Sequence, residues 1–396
     1  MPLLFYILAA ILIYFSLKSF RGGIDYLSFF RNELAKPLPD HVPFATVIVP
    51  CKGGESGLEE NLAPLLVQIY PNYEVIFVVD DANDRAVPTI EKLLSQHPLH
   101  GVENKLVVAP TAVDSGQKVE NIREAVIHAD PRSEVFVFAD SDVRPANDWL
   151  RQLVAPLQNE NVGAATGYRW FISNRMSFAG ELRSAWNASI ASALGPNVKS
   201  NFCWGGSMAI PREVFDRLNI RDRLAGTLSD DFAVTRFMNE AGLEIRHVPQ
   251  ALTRSNGECS LGECLEFTTR QMKITRVYRP HLWVMSLIGS GIFTSVMLSA
   301  FLIVLLSRQN TPLVWAAIAT LLIVSVFSVG KAWLRLKAVQ LVIPEAKKQF
   351  LPQLTLWPLT PPLFLYNCIC ALISRRMTWR GITYELVSEK ETLRIG

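Results

Sequence analysis

The sequence predicts an α/β fold, a largely parallel sheet with helices on both faces, set in a chain whose two ends associate with a membrane. Three observations predict it. Between Ala45 and Asp142, short apolar runs alternate with amphipathic stretches, the pattern of repeated β/α units. The runs Tyr73–Val79 and Val135–Ala139 both end in acids, Asp80 with Asp81 and Asp140 with Asp142. Fully buried parallel strands read as unbroken apolar runs, and ligands gather at their carboxyl ends, so these aspartates are aimed at a crevice. Finally, residues 282–306 and 311–330 are long enough for membrane helices, and their only charge lies in the short break between them.

Composition supports one soluble domain plus membrane segments: 396 residues, 49% hydrophobic, net charge +3. That charge is too small to indicate a nucleic-acid partner. Cys51, Cys203, Cys259, Cys264, Cys368 and Cys370 form no Cys-x-x-Cys pair. They are expected to be reduced, unligated thiols facing a reducing compartment.

Residues 2–17 are uncharged and nearly all apolar, with Lys18 and Arg21 following. A secretory signal has the opposite order, so the stretch reads as an uncleaved anchor, short for a span, whose C-terminal side is cytoplasmic. A polar linker from Lys36 to Pro43 leads into a strand at 45–49. Pro50-Cys51-Lys52-Gly53-Gly54 then turns into a helix reaching about Ile69, and Asp84 lies just beyond the second strand. A third strand at Lys105–Val108, a helix at 117–128 and the Val135–Ala139 strand complete the alternation.

Beyond Asp142 the pattern loosens. Strands are expected at 163–167 and 207–210, the latter preceded by Phe202-Cys203-Trp204-Gly205-Gly206. Ser229 and Asp230 offer an N-cap for an amphipathic helix at 232–241, and carboxylates there suit the helix dipole. In a helix over 261–279, Arg270, Lys273 and Arg276 recur every third residue. Such a helix reads either as an interfacial element on anionic headgroups or as a cationic clamp on a diphosphate.

The 282–330 hairpin has Arg308 at its tip, whereas Lys331, Arg335, Lys337, Lys347 and Lys348 follow it. The middle of the chain is therefore expected in the cytoplasm. Residues 349–374 are again uncharged, but a crossing would leave Arg375, Arg376 and Arg380 outside. With Pro352, Pro358, Pro361 and Pro362 in the run, a re-entrant or interfacial hairpin is the expectation. The predicted organisation is an anchor at 1–20, a catalytic domain at 43–260, a basic interfacial helix at 261–281, a transmembrane hairpin at 282–330 and a membrane-associated segment with a cytoplasmic tail at 331–396.

Paired carboxylates at a strand end are hard oxygen ligands suited to Mg²⁺ or Mn²⁺, which commonly completes its shell with substrate phosphates. A nucleotide diphosphate is the implied ligand. There is no Gly-x-x-x-x-Gly-Lys-Ser/Thr loop, and no Gly-x-Gly-x-x-Gly follows the first strand, which argues against P-loop and dinucleotide-binding chemistry. The six histidines, His41, His97, His100, His128, His247 and His281, are scattered and take no role.

Pro50-Cys51-Lys52-Gly53, the strand ending in Asp81, Asp140-Ser141-Asp142, Ser229-Asp230-Asp231 and Arg270-Gln271-Met272-Lys273-Ile274 occur in the order and spacing of a known family. The chain resembles the family 2 and 21 membrane glycosyltransferases, most closely the ceramide glucosyltransferases. The likeness runs from the anchor to the tail segment from Thr378 to Leu386. It implies a GT-A fold with a Rossmann-like, mostly parallel mixed sheet. It also implies an inverting transfer of a hexose, glucose in the first instance, from a UDP-sugar to a lipid hydroxyl at the cytoplasmic membrane face. By the same resemblance Asp81 contacts the nucleotide, with Asp80 beside it. Asp140 and Asp142 bind the metal and diphosphate, and Asp231 is the general base. Arg270 and Lys273 neutralise the leaving diphosphate. Lys118 and Asn121 match a family Lys and Asn, and Trp204 is either a wall of the sugar pocket or a core ring beside a tight turn. The family's final Arg-Trp is replaced by Lys273 and Ile274, a departure that removes a planar guanidinium and leaves Arg276 as a stand-in. A bacterial inner membrane is the expected location.

Two other readings stay open: a processive polysaccharide synthase of the same superfamily, and a non-enzymatic membrane scaffold or transport protein. The apolar spans hold no acid of the kind ion pathways require.

Overall fold

The computed structural model describes residues 2–54, 57–97, 104–307, 309 and 311–395; Arg308 and His100 lie outside the described residues. The chain divides into two compact units.

One unit comprises Glu33–Phe171, Ala193–Asn256 and the segment from Arg375 onward. It is built on a mixed sheet. Its strands are β1 (Ala45–Pro50), β2 (Tyr73–Val79), β3 (Lys105–Val108), β4 (Val135–Ala139), β5 (Val143–Arg144), β6 (Val162–Ile172), β7 (Ser207–Pro211) and β8 (Glu244–Asn256). The order is β3-β2-β1-β4-β7-β6-β8-β5. The first four in that order run parallel, and β7 returns antiparallel to β4. β2 and β4 are buried at every position, which is why they read as apolar runs, broken only by the buried Glu74 of β2.

Register decides what meets at the sheet edge. Val49 lies opposite Phe77 and Ile48 opposite Phe138, so β1, β2 and β4 end together. Ala139 pairs with Ser207, which puts Gly206 beside Asp140. The start of β7 is pinned by a relay: the buried Trp149 indole donates to Ser207 Oγ at 2.8 Å, and that hydroxyl donates to the Ala251 carbonyl at 3.1 Å.

Several expectations change. The helix expected to reach Ile69 ends at Leu62 and continues only as a 3₁₀ turn over Ala63–Leu66, with Pro64 unable to donate inside a continuing helix. The helix after Ser229 starts at Asp230 and runs to Glu240. Ser229 holds the N-cap position as expected, but its hydroxyl donates to Asp231 in place of accepting from a first-turn N–H. β6 extends to Ile172, and β8 is a thirteen-residue strand absent from the sequence reading. Residues 376–394 form a separate antiparallel meander, β9 (Arg376–Trp379), β10 (Ile382–Ser388) and β11 (Glu391–Arg394). Its first turn has Arg380 and Gly381 both left-handed, at φ 52° and 78°, as a two-residue hairpin of primed type requires.

The other unit comprises the N-terminal segment through Asn32, Ile172–Ser192 and Gly257–Ser374. Three of its helices are long and apolar enough to cross a membrane: Pro2–Leu34, Pro280–Leu306 and Pro312–Gln340. The first continues unbroken through Lys18 and Arg21, so the helix is longer than the apolar run alone suggested. A further apolar pair, Pro344–Thr355 and Trp357–Ile373, is bent by 59° at its prolines. The Phe178–Ala191 helix, also unforeseen, carries Trp186, whose ring stacks on Phe364 at 4.6 Å.

Candidate active site

At the carboxyl edge of the sheet a buried lysine joins two of the predicted aspartates. Lys118 sits in the first turn of the Gln117–Ala125 helix, and its ammonium lies 2.7 Å from Asp140 and 3.2 Å from Asp230. That helix start is held in place from behind: the Gly116 N–H donates to the Thr227 carbonyl at 2.9 Å. Asp140 and Asp230, ninety residues apart, thus share one counter-ion.

Gly205 and Gly206 make room for this cluster. A Cβ at Gly205 would fall 2.0 Å from Asp230 Oδ2 and 2.8 Å from the Lys118 ammonium; one at Gly206 would fall 2.7 Å from Asp140 Oδ2. Asp230 is 3% exposed and its Oδ2 has no hydrogen-bond partner. Burial pushes its carboxyl up to about 6, against the pull of Lys118, with Asp231 and Asp140 adding to the rise. Burial also raises Asp140, but Lys118 and Arg169 outweigh it and hold that carboxyl below its usual range.

Arg169, on β6, is the residue sequence reasoning missed. Its guanidinium lies 3.8 Å from Asp142 and 4.9 Å from the centre of the Trp204 ring. The available signal was a lone arginine within the otherwise apolar end of a strand, Tyr168-Arg169-Trp170-Phe171. Trp204 is 4% exposed, its ring packs against Tyr168 at 5.4 Å, and its backbone N–H donates to Thr166 Oγ1 at 3.0 Å. It is a buried ring with the protein's own cation over it.

Asp231 stands differently from Asp230. Its Oδ1 accepts from the Ser229 hydroxyl and from the Phe232 N–H, the latter at 2.7 Å. Its Oδ2 accepts nothing from the described residues, and the side chain is only half-buried. Asp80 is gripped by Lys52 at 2.6 Å. Asp81 sits on an exposed turn, where it accepts from the Asn83 N–H at 2.8 Å. Asp84 accepts from Gly53 N–H at 2.8 Å, tying the loop after β1 to the loop after β2. Asn121 is buried and accepts from Gln117, a packing role on the helix that presents Lys118.

Arg270 and Lys273 lie on the Leu261–Tyr278 helix of the other unit, where Arg270 pairs with Glu266 at 3.7 Å and lies over Phe267 at 5.6 Å. Arg276, the expected stand-in for the missing arginine, has a structural partner of its own. Its guanidinium donates to the Ala371 and Leu372 carbonyls, the second at 3.0 Å, and so closes the end of the Thr360–Ile373 helix.

Asp140 and Asp142 are the carboxylates that could hold a divalent cation. Among the described residues no group of three or more His, Cys, Asp or Glu side chains forms a closed metal cage. Two carboxylates with one oxygen facing the space a Gly206 side chain would fill match a site that takes its other ligands from phosphates and water.

A family model described as "Glycosyl transferase family 21" matches residues 4–392. The chain belongs to that family. Within it, the chain is 20% identical over 244 residues to "Ceramide glucosyltransferase 3" of Caenorhabditis elegans, covering 61% of this chain and 52% of the relative. It is 26% identical over 133 residues to "Ceramide glucosyltransferase" of Candida albicans, covering 31% of this chain and 24% of that one. The matched part is thus about half, or less, of these family members' own length. Among solved structures, the mannosyltransferase PcManGT from Pyrobaculum calidifontis, in complex with GDP-Man and Mn²⁺, superposes with a TM-score of 0.53 at 20% identity, covering 87% of this chain and 99% of that one. This establishes the GT-A type of fold for the family 21 chain.

Two predictions follow from the geometry. Gly205→Ala should force Asp230 off Lys118 and lower stability by about 1–3 kcal/mol, the usual cost of overpacking, as read by thermal unfolding. Asp230 has a folded pKa above its ordinary 3.8, so the native state binds the extra proton. That contribution is complete below 3.8 and is lost as pH rises through about 6. Asp230→Asn should therefore gain on the wild type by on the order of 3 kcal/mol between pH 4 and pH 8, measured as the change in their stability difference.

Proposed function

We propose that this chain is an inverting, metal-dependent glycosyltransferase that moves a hexose from a UDP-sugar to a lipid hydroxyl at the cytoplasmic face of a membrane. The observation that carries this reading is the shared edge of Asp140, Asp142, Lys118, Asp230 and Asp231 in a family 21 chain. The solved mannosyltransferase of this fold, bound to GDP-Man with Mn²⁺, supports a nucleotide-sugar donor and a divalent cation, and the ceramide glucosyltransferase names of the curated relatives support a lipid acceptor.

Asp140 and Asp142 are the residues to hold the cation. When bound, it offsets the charge that develops on the departing diphosphate. Asp231 Oδ2 accepts the proton of the acceptor hydroxyl as that oxygen bonds to the anomeric carbon and the carbon–diphosphate bond breaks. Its Oδ1 is already held by Ser229 and Phe232, which fixes the carboxylate plane and leaves the other oxygen for the acceptor. Lys118 keeps Asp140 ionised for its ligand role. Arg270 and Lys273 are assigned to the leaving diphosphate. The apolar helices anchor the enzyme where a lipid acceptor resides.

The test uses the full chain with a panel of UDP-sugars, a lipid extract and mass spectrometry of new glycolipids. Chelation should abolish transfer and Mn²⁺ or Mg²⁺ restore it. Asp231→Asn should cut transfer by roughly 10²-fold or more, the scale of general-base loss, with nucleotide affinity within about twofold; equal loss of both would make its role structural. The bent 344–373 pair is read as re-entrant, so a protease-cleavable tag after Gly396 should be cut only from the cytoplasmic side.

A further inference from the structure

We infer that the C-terminal meander is a working part of the active site, with Tyr384 as a positioning residue for Lys118. Tyr384 is 2% exposed, and its hydroxyl accepts a hydrogen bond from the Gln117 N–H at 3.1 Å. Gln117 is the first residue of the helix whose second residue is Lys118. A first-turn N–H has no partner within its own helix, so a side chain from 267 residues away satisfies it and fixes where the helix begins.

The same meander braces the other side of the bridge. Gly226, left-handed at φ 79°, comes so close to the turn between β10 and β11 that a Cβ there would lie 2.1 Å from the Lys390 carbonyl oxygen. Glu389, in that turn, pairs with Arg236 on the Asp230–Glu240 helix. Arg394 donates to the Ala112 carbonyl at 3.3 Å, in the loop before the Lys118 helix. One small sheet therefore contacts both segments that the Lys118–Asp230 pair joins. A cover laid over apolar surface needs Met377, Ile382 and Leu386, all buried. It does not need a tyrosine hydroxyl aimed at a helix start.

The Lys118 ammonium is held between two carboxylates with its side chain 14% exposed, so in the wild type it should react slowly with an acylating reagent such as acetyl N-hydroxysuccinimide ester. In the full chain, Tyr384→Phe keeps the ring and removes the acceptor. Lys118 acylation, followed by peptide mass spectrometry, should then rise about tenfold as the helix start opens locally, with the melting temperature held within about 2 °C. Unchanged Lys118 protection overturns the inference, as does a rise shared equally by buried lysines across the protein. Where Tyr384→Phe fails to fold, Glu389→Lys, on an exposed turn, repels Arg236 and should expose Lys118 in the same way.

A second arm rests on the proposed transfer reaction: kcat should fall about tenfold with donor KM within about twofold, the mark of a group acting on the transition state rather than on binding. A wild-type chain without transfer sinks that functional reading, while the labelling arm still decides this one.

Discussion

The site depends on burying an ammonium between two carboxylates. Lys118, Asp140 and Asp230 come from a helix start, a strand end and a second helix start, and each would be costly to bury alone. Removing one partner of a buried ion pair typically costs about 3–5 kcal/mol, because the others are left uncompensated. This makes the surrounding backbone intolerant of change. Gly205, Gly206 and the packed Gly116–Thr227 contact are consequences of that closeness, since any side chain at either of the first two positions would enter the charge cluster. Asp142 and Asp231 add two more carboxylates and Arg169 one more cation. Four acids facing two bases leave the edge electronegative, the condition under which a divalent cation is attracted and oriented.

Much of this was legible because the parallel half of the sheet writes itself into the chain. Buried strands are mostly apolar, so β2 and β4 were visible despite Glu74, whose buried carboxylate is held by Thr46 and the Asp130 N–H, and the acids that stop them stood out. The antiparallel half writes no such signal. β8 carries Pro249 and is charged or polar at Glu244, Arg246, His247, Gln250, Thr253 and Arg254. It is a strand because of what flanks it rather than by its own pattern. Arg169 was hidden for a related reason: a cation on a buried strand looks like an error until its carboxylate, twenty-seven residues earlier, is brought beside it.

The basic helix shows the opposite failure, a pattern that carried too much. Arg270, Lys273 and Arg276 share a spacing, and spacing alone makes them equivalent. Packing separates them. Arg276 donates through one nitrogen to the two carbonyls that end the Thr360–Ile373 helix, a task any chain with an exposed helix terminus must give to some donor. The ammonium at Lys273 lacks the planar fork of the guanidinium it replaces.

The two aspartates of the Ser229-Asp230-Asp231 motif end with separate mechanical connections, although they are neighbours in sequence. Asp230 is fastened to the strand end through Lys118, so its position follows the sheet register. Asp231 is fastened to its own helix start through Ser229 and the Phe232 N–H, so its position follows the helix. Among the described residues the lysine is the charged tie between strand and helix, beside the shared apolar core of Phe138 and Phe237, and it is only as fixed as the turn that carries it. Consecutive carboxylates can therefore be pre-set for different tasks, one facing inward to complete a buried charge cluster and one facing outward with an oxygen to spare, provided that the start of the Gln117–Ala125 helix does not move.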